Sequence, residues 1–240
     1  MQSLKVVVIG GGAAGFFGAI ATAEAYPHAL VTLIEAGRQP LAKVRISGGG
    51  RCNVTHACFD PALLVQYYPR GGKALRGPFS RFQPRDTVAW FEEQGVQLKT
   101  ESDGRMFPIT DDSATIVDCL TETADELGVK IRTGIPVISV KTLATPEEGG
   151  METNPHSSQF EVELKTGKTY LCDRVLLATG SNPLGYQIAQ SFGHSIEPPV
   201  PSLFTFTIPD ARLQELAGVS VDNARVQLQV NGKTQLEQTG

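Results

Sequence analysis

Nothing in this chain approaches the run of about 20 apolar residues that a membrane-spanning helix needs, and no basic, then apolar leader precedes the first strand-like segment at residue 5. The expectation is a cytoplasmic protein with no membrane partner. Cysteine is scarce. The four present, Cys52, Cys58, Cys119 and Cys172, form no CxxC pair, which excludes a disulfide framework and a zinc ribbon. Cys58, Cys119 and Cys172 read as reduced residues in or near the core. The four histidines, His28, His56, His156 and His194, share no metal-ligand spacing, so no metal is expected. An excess of positive charge is also missing. The 21 Lys and Arg are outnumbered by 25 Asp and Glu, giving net charge −4; with the signs mixed along the chain, a phosphate-backbone surface is not expected and nucleic acid is set aside as a partner.

Glycine, by contrast, is plentiful, with 25 residues, and its placement is informative. An apolar strand, Val6–Ile9, runs into Gly10, Gly12 and Gly15, a helical stretch follows, and a second strand, Leu30–Ile34, ends in Glu35. In such a unit Gly10 permits the tight turn from strand to helix. Gly12 lets the backbone approach a diphosphate, and Gly15 lets the helix pack closely on the strand. The helix N-terminus supplies free N–H groups and partial positive charge. Glu35, 20 positions beyond Gly15, stands where an acidic residue accepts hydrogen bonds from ribose hydroxyls, and it would repel a 2′-phosphate. This is a dinucleotide-binding βαβ unit.

The remaining pattern alternates. Residues 85–95 look helical, with Asp86 as cap; Val96–Thr100 and Arg105–Phe107 read as a hairpin. A second helix from Asp112 or Ser113 turns Ile116, Val117, Leu120, Ala124 and Leu127 toward the core and stops at Gly128, before a strand at Val129–Arg132. Between Ile135 and Ala178 the period changes to two, as in antiparallel strands with one polar face; Ala144–Ser158 reads as a solvated loop. Asp173–Gly180 then reads as a strand buried on both faces, ending in the small-residue turn Ala178-Thr179-Gly180. Val226, Leu228 and Val230 alternate up to Asn231-Gly232, a strong hairpin turn, with a polar strand returning. The expected fold class is α/β: the βαβ unit, the β-meander and the strand ending at Gly180 together resemble the Rossmann-like FAD-binding domain of glutathione-reductase-type flavoproteins over residues 1–195, and that resemblance implies the start of a β-rich inserted domain over 196–240.

A second glycine-rich loop makes the reading specific. Lys43-Val44-Arg45-Ile46-Ser47-Gly48-Gly49-Gly50-Arg51-Cys52-Asn53-Val54-Thr55 resembles the hallmark segment of the HI0933-like flavoproteins. Gly104–Pro108, Leu177–Gly180, Gly185-Tyr186, Gly193-His194 and Pro199–Leu203 are similar to further landmarks of that family. The resemblance implies FAD, with its diphosphate at Gly10, Gly12, Ala13, Ala14 and Gly15 and its adenosine ribose at Glu35. It also implies Lys43, Ser47 and the loop Gly49, Gly50, Arg51, Cys52 and Asn53 along the ribityl chain and ring, the backbone of Val137 at the adenine, and Ala178, Thr179 and Gly180 near the adenosine or diphosphate. Two departures stand out. The link Ser181–Leu184 before Gly185 is shorter than in the family, with Asn182 and Pro183 set to start a helix there. The sequence also stops inside a β-meander, so this chain is expected to hold FAD more weakly than a longer parent.

Flavin chemistry is hydride transfer, with the protein supplying position and electrostatics. Arg51 is a candidate charge stabiliser or a holder of the loop, Asn53 a candidate hydrogen-bonding group, and Cys52 a minor candidate for a redox or nucleophilic role. Three classes stay open. They are an FAD-dependent oxidoreductase acting on a small organic substrate, by reducing an activated C=C or oxidising an amine, with NAD(P)H as an electron source; an NAD-dependent dehydrogenase; and a non-catalytic nucleotide-binding module. Oligomeric state is not legible.

Overall fold

The computed structural model describes residues 3–143, 159–200, 208–213, 216, 221 and 224–239. The expected loop at Ala144–Ser158 and the end of the Pro199–Leu203 landmark lie outside them. Contacts divide the chain into Met1–Ile196 and Glu197–Gly240. Among the described residues no helix is long and apolar enough to cross a membrane.

The first unit begins as its glycine spacing dictates. Strand β1 (Lys5–Ile9) leads into helix α1 (Ala13–Ala25), and β2 (Leu30–Ile34) returns beside β1. A short helix, α2 (Ala42–Ile46), precedes a 3-10 turn at Ser47–Gly50 and a two-residue strand, β3 (Thr55–His56). Helices α3 (Pro61–Leu64), α4 (Gly72–Phe79) and α5 (Pro84–Glu93) follow. Asp86 does not cap α5 from outside, as expected: Pro84 sets the first helical position, so Asp86 lies one turn in and reaches back to accept the Gln83 N–H at 2.8 Å. Strands β4 (Leu98–Thr100) and β5 (Arg105–Pro108) form the expected hairpin, and β3 joins it to give a three-stranded antiparallel sheet.

Helix α6 (Ser113–Glu126) starts from Asp112, whose carboxylate accepts the Ala114 N–H at 2.8 Å. Its residues Ile116, Val117, Leu120 and Ala124 are buried as the periodicity requires. Leu127 is not: it falls after the last helical residue, where the chain turns at Gly128 (φ +73°), and it is 38% exposed. Strand β6 (Lys130–Arg132) then adds to β2, and β7 (Val137–Thr142), β8 (Phe160–Leu164) and β9 (Thr169–Cys172) make an antiparallel meander. Strand β10 (Arg174–Leu177) returns beside β1, and helix α7 (Pro183–Ser191) begins from Asn182, which accepts the Leu184 N–H at 3.0 Å.

The main sheet has the order β10-β1-β2-β6, all parallel. Successive residues of β1 serve opposite faces. Val6 and Val8 pack with α1 and α6, while Val7 and Ile9 pack with the meander and α7. A strand covered on both sides must be apolar at every position, and Val6–Ile9 is. Strand β10 corrects the matching expectation for Asp173–Gly180. It is one of the two outer strands of the four, and burial alternates along it. Val175 and Leu177 join the second core, whereas Leu176 lies against Gly18 of α1 and is still 37% exposed. An apolar run identifies a strand but not its place in the sheet order.

Among its described residues the second unit contains one hairpin, β11 (Arg225–Val230) with β12 (Lys233–Thr239). Its turn residues Asn231 and Gly232 both have positive φ, 52° and 73°, as a two-residue turn matched to strand twist demands.

Candidate functional site

The turn after β1 is held by backbone bonds that only this arrangement of glycines permits. Gly10, at φ +109°, donates its N–H to the Ile34 carbonyl at 2.8 Å, and a Cβ there would strike the Ala178 carbonyl. A Cβ on Gly15 would collide with the Gly10 carbonyl oxygen. Gly12 differs: its φ of −88° suits any residue, and the space where a Cβ would sit is open. That space belongs to a cavity of about 930 Å³.

Gly10, Gly12, Ala13 and Ala14 form the floor of the cavity. Helix α1 has no side-chain cap and no acidic residue in its own first turn, and its first residues, Ala13 and Ala14, line the cavity. Such an end is suited to an anion. Glu35, half-buried, borders the same space. Its two oxygens accept the N–H groups of Gly11 and Gly37, each at 2.6 Å. These bonds fix the carboxylate at the end of β2, and a carboxylate has acceptor capacity beyond two bonds.

The second glycine loop closes another side. Ser47 donates from its hydroxyl to the Val44 carbonyl at 3.0 Å and accepts the Cys52 N–H at its own carbonyl at 3.0 Å. Gly48, at φ +57°, has no room for a side chain, because a Cβ would press on the Phe107 ring and the Asn53 backbone. Lys43, Ser47, Cys52 and Asn53 line the cavity. Opposite them come Ala178, Thr179 and Gly180 from the end of β10; Lys43 reaches across to the Ser181 hydroxyl at 3.3 Å.

Five expected site residues do not line the cavity: Gly15, Gly49, Gly50, Arg51 and Val137. Gly15 lies beneath the turn. Val137 is buried in the second core on β7. Arg51 points away, with its guanidinium 4.0 Å above the Phe107 ring, bonded to Glu101 at 2.5 Å and Asp111 at 3.5 Å, and donating to the Gly48 carbonyl at 3.3 Å. Of the two roles open to Arg51, this geometry gives it the one of holding the loop. Cys52 is buried, and burial pushes its thiol up despite the opposing hydrogen bond with Ser47. A protonated thiol is a poor nucleophile, which counts against a redox or nucleophilic task.

The sequence reading missed the apolar wall. Phe17, Leu41, Phe82, Phe91, Ile116 and Leu120 line the cavity from α1, α5, α6 and the segments between them. Periodicity assigns such residues to a core, and nothing in their spacing distinguishes a core face from a cavity wall. Leu41 carries one late signal, its left-handed backbone (φ 57°), stabilised by donation of its N–H to the Gly11 carbonyl at 2.7 Å.

A sequence model of the HI0933-like protein Rossmann domain matches residues 4–235. The ribosomal RNA dihydrouridine synthase of Escherichia coli (strain K12) is 32% identical to this chain over 233 residues, covering 92% of the chain and 53% of that protein. The 3-dehydro-bile acid delta(4,6)-reductase of Clostridium scindens is 28% identical over 244 residues, covering 98% of the chain and 55% of that protein. The chain thus spans about half the length of the curated relatives it matches. Among solved structures, THI4 of Thermovibrio ammonificans superposes with a TM-score of 0.52 at 13% identity, over 80% of this chain and 62% of that one, a likeness of fold. The chain belongs to the HI0933-like family and carries its Rossmann domain over residues 4–235.

Proposed function

We propose that this HI0933-like protein reduces a carbon–carbon double bond conjugated to a carbonyl, in the cytoplasm, with FAD held in the cavity and NAD(P)H as electron donor. The observation that carries the reading is the joining of two environments in one cavity, an uncapped helix N-terminus suited to a diphosphate and an apolar wall suited to a flat ring. The names of the relatives support the reaction class. Dihydrouridine differs from uridine by saturation of one double bond beside a carbonyl, and a delta(4,6)-reductase acts on the same kind of bond.

When bound, FAD supplies hydride transfer. The residues of this chain supply position. The N–H groups at Ala13 and Ala14 hold the diphosphate, with Gly12 leaving room for it and Gly10 and Gly15 shaping the turn. Glu35 accepts from the ribose hydroxyls and disfavours a 2′-phosphate at this site. Lys43, Ser47, Cys52 and Asn53 would hold the ribityl chain and ring, with the Asn53 amide as a hydrogen-bonding group. Gly49 and Gly50 give the loop its left-handed backbone, and Arg51 braces it from behind. Ala178, Thr179 and Gly180 would approach the adenosine, and Val137, which lies off the cavity, could reach the adenine only through its backbone. Phe17, Phe82 and Phe91 exclude water from the ring end.

The test is a visible spectrum followed by an anaerobic turnover. Purified protein supplied with FAD is expected to show bound flavin absorbance, and the photoreduced form to be reoxidised by 2-cyclohexen-1-one without oxygen. Protein that takes up no FAD, or reduced flavin that the enone leaves untouched, would overturn the reading.

A further inference from the structure

Left-handed backbone runs through the second glycine loop: Gly48, Gly49 and Gly50 have φ of 57°, 70° and 89°, and Cys52 has φ of 63°. Glycine takes such angles freely. Cysteine does not, and a side chain held in that region persists only where its surroundings leave it no alternative. The same turn carries Cys52 and Asn53 to the cavity. Whatever fixes the turn therefore fixes two residues that face the space assigned above to the ribityl chain and ring.

Backbone bonds secure its exit, from the Cys52 N–H to the Ser47 carbonyl at 3.0 Å and from the Val54 N–H to the Met106 carbonyl on β5 at 2.9 Å. The Arg51 side chain ties the turn itself to the β4–β5 hairpin. Its guanidinium lies over the ring of Phe107, which is fully buried, and donates to Gly48 of the loop on one side and to Glu101 and Asp111 on the other. The two acids are not equivalent. Glu101 is nearer to Arg51, at 2.5 Å against 3.5 Å, and its side chain is less exposed, 27% against 42%. It also stands on a closed turn, in which its N–H donates to the Arg105 carbonyl at 2.8 Å and its carbonyl accepts the Gly104 N–H at 2.9 Å. Asp111 divides its charge between Arg51 and Lys99. A charge-assisted bond from a partly covered, fixed carboxylate is stronger than one from an exposed carboxylate.

We infer that Glu101, 50 positions away from Arg51 in the chain, is a positioning residue for the flavin: through Arg51 it holds the strained turn at Cys52 and so sets how Cys52 and Asn53 meet the ring end, an inference that rests on the FAD reading proposed above. The effect is local. Without the Glu101 charge Arg51 loses its seat on Phe107, and the turn relaxes toward ordinary backbone at Cys52. Cys119 and Cys172, one in each apolar core, stay covered, and the diphosphate end of the site, built on β1, α1 and Glu35, keeps its shape.

The cysteines supply the test, because Cys52, Cys119 and Cys172 are all buried whereas Cys58 is partly exposed. Folded protein, with and without FAD, is treated with iodoacetamide, and alkylation at each cysteine is followed by mass spectrometry in wild type, E101Q, R51K and D103N. Affinities for FAD and for ADP, which lacks the ring end, are measured on the same proteins. In E101Q the alkylation rate at Cys52 should rise by about tenfold or more as the turn opens locally, with Cys119 and Cys172 unchanged. FAD should bind about tenfold more weakly, in keeping with loss of a charged hydrogen bond, and ADP as before. R51K should behave like E101Q, since lysine keeps the charge but not the planar group that stacks and bonds at once. D103N, which alters an exposed carboxylate of the same hairpin paired with Arg105, should match wild type. An unchanged Cys52 rate in E101Q, a rise at all three buried cysteines together, or an equal loss of ADP and FAD affinity would overturn the inference and leave the FAD reading intact. Wild-type protein that binds no FAD would overturn the FAD reading itself, whereas alkylation confined to Cys52 in E101Q would still establish that Glu101 holds the turn.

Discussion

Gly12 and Gly15 are the same residue type three positions apart, yet a side chain at each meets opposite conditions. At Gly15 it would strike the Gly10 carbonyl oxygen, whereas at Gly12 it would enter the open cavity. Gly12→Leu is therefore expected to fold with an unchanged denaturation midpoint and to bind no FAD, while Gly15→Ala loses both; equilibrium unfolding beside flavin absorbance separates the two. Wild-type FAD affinity in Gly12→Leu would place the diphosphate elsewhere. Both glycines were legible from the GxGxxG spacing. Arg51 was legible only as a loop residue, because its partners Glu101 and Asp111 come from 50 and 60 positions away and no local pattern announces them. Asp111 yields a pH prediction. Its hydrogen bond with Lys99 is the largest influence; desolvation, next in size, opposes it, and the charges of Lys99 and Arg51 then help to hold the carboxyl below the ordinary value. A depressed folded-state value means that the contribution is present above the unfolded value of about 3.9 and disappears as pH falls through the lower folded value. The difference in unfolding midpoint between wild type and Asp111→Asn should be level at neutral pH, close in the acid range, and shrink with added salt, since the group is exposed. A difference that widened with acid would contradict the assignment.

Helices and strands whose boundaries depend on neighbouring residues were readable, and those whose burial depends on sheet order were not. Asp112 and Asn182 cap α6 and α7 as their positions before each periodic run imply, and Asn231-Gly232 makes its turn for reasons confined to two residues. The apolar run of β10 carries no mark that distinguishes an outer strand from a central one, because both are written with Val and Leu. Helix α6 offers the clearest test at this scale. Its buried face contributes Ile116 and Leu120 to the cavity wall, whereas its N-cap Asp112 is exposed and does not line the cavity. Asp112→Ala should lower stability by about 1 kcal/mol, the usual cost of an N-cap, with FAD affinity little changed. Urea denaturation and flavin titration measure the two quantities. A loss of FAD affinity as large as the loss of stability would show that the cap positions the cavity wall as well as the helix.

For the molecule as a whole, the two apolar cores and every residue lining the cavity among the described residues fall within Met1–Ile196. One core lies between the parallel sheet and α1 with α6, the other between that sheet and the meander with α7, and the cavity opens at the C-terminal ends of β1 and β10, where ligands of open α/β sheets bind. In Glu197–Gly240 the described hairpin exposes Val226, Leu228, Val230 and Leu236. Folding of the first unit and its hold on the adenosine and diphosphate should then depend on residues 1–196 alone. A chain ending at Ile196 is expected to unfold in a single cooperative transition at the temperature of the 240-residue chain's Rossmann transition, and to bind FAD with the same dissociation constant by quenching of flavin fluorescence. If the shorter chain unfolded at a lower temperature, the second unit would be stabilising the first. If it kept its unfolding temperature but bound FAD tenfold more weakly, part of the flavin site would lie beyond Ile196.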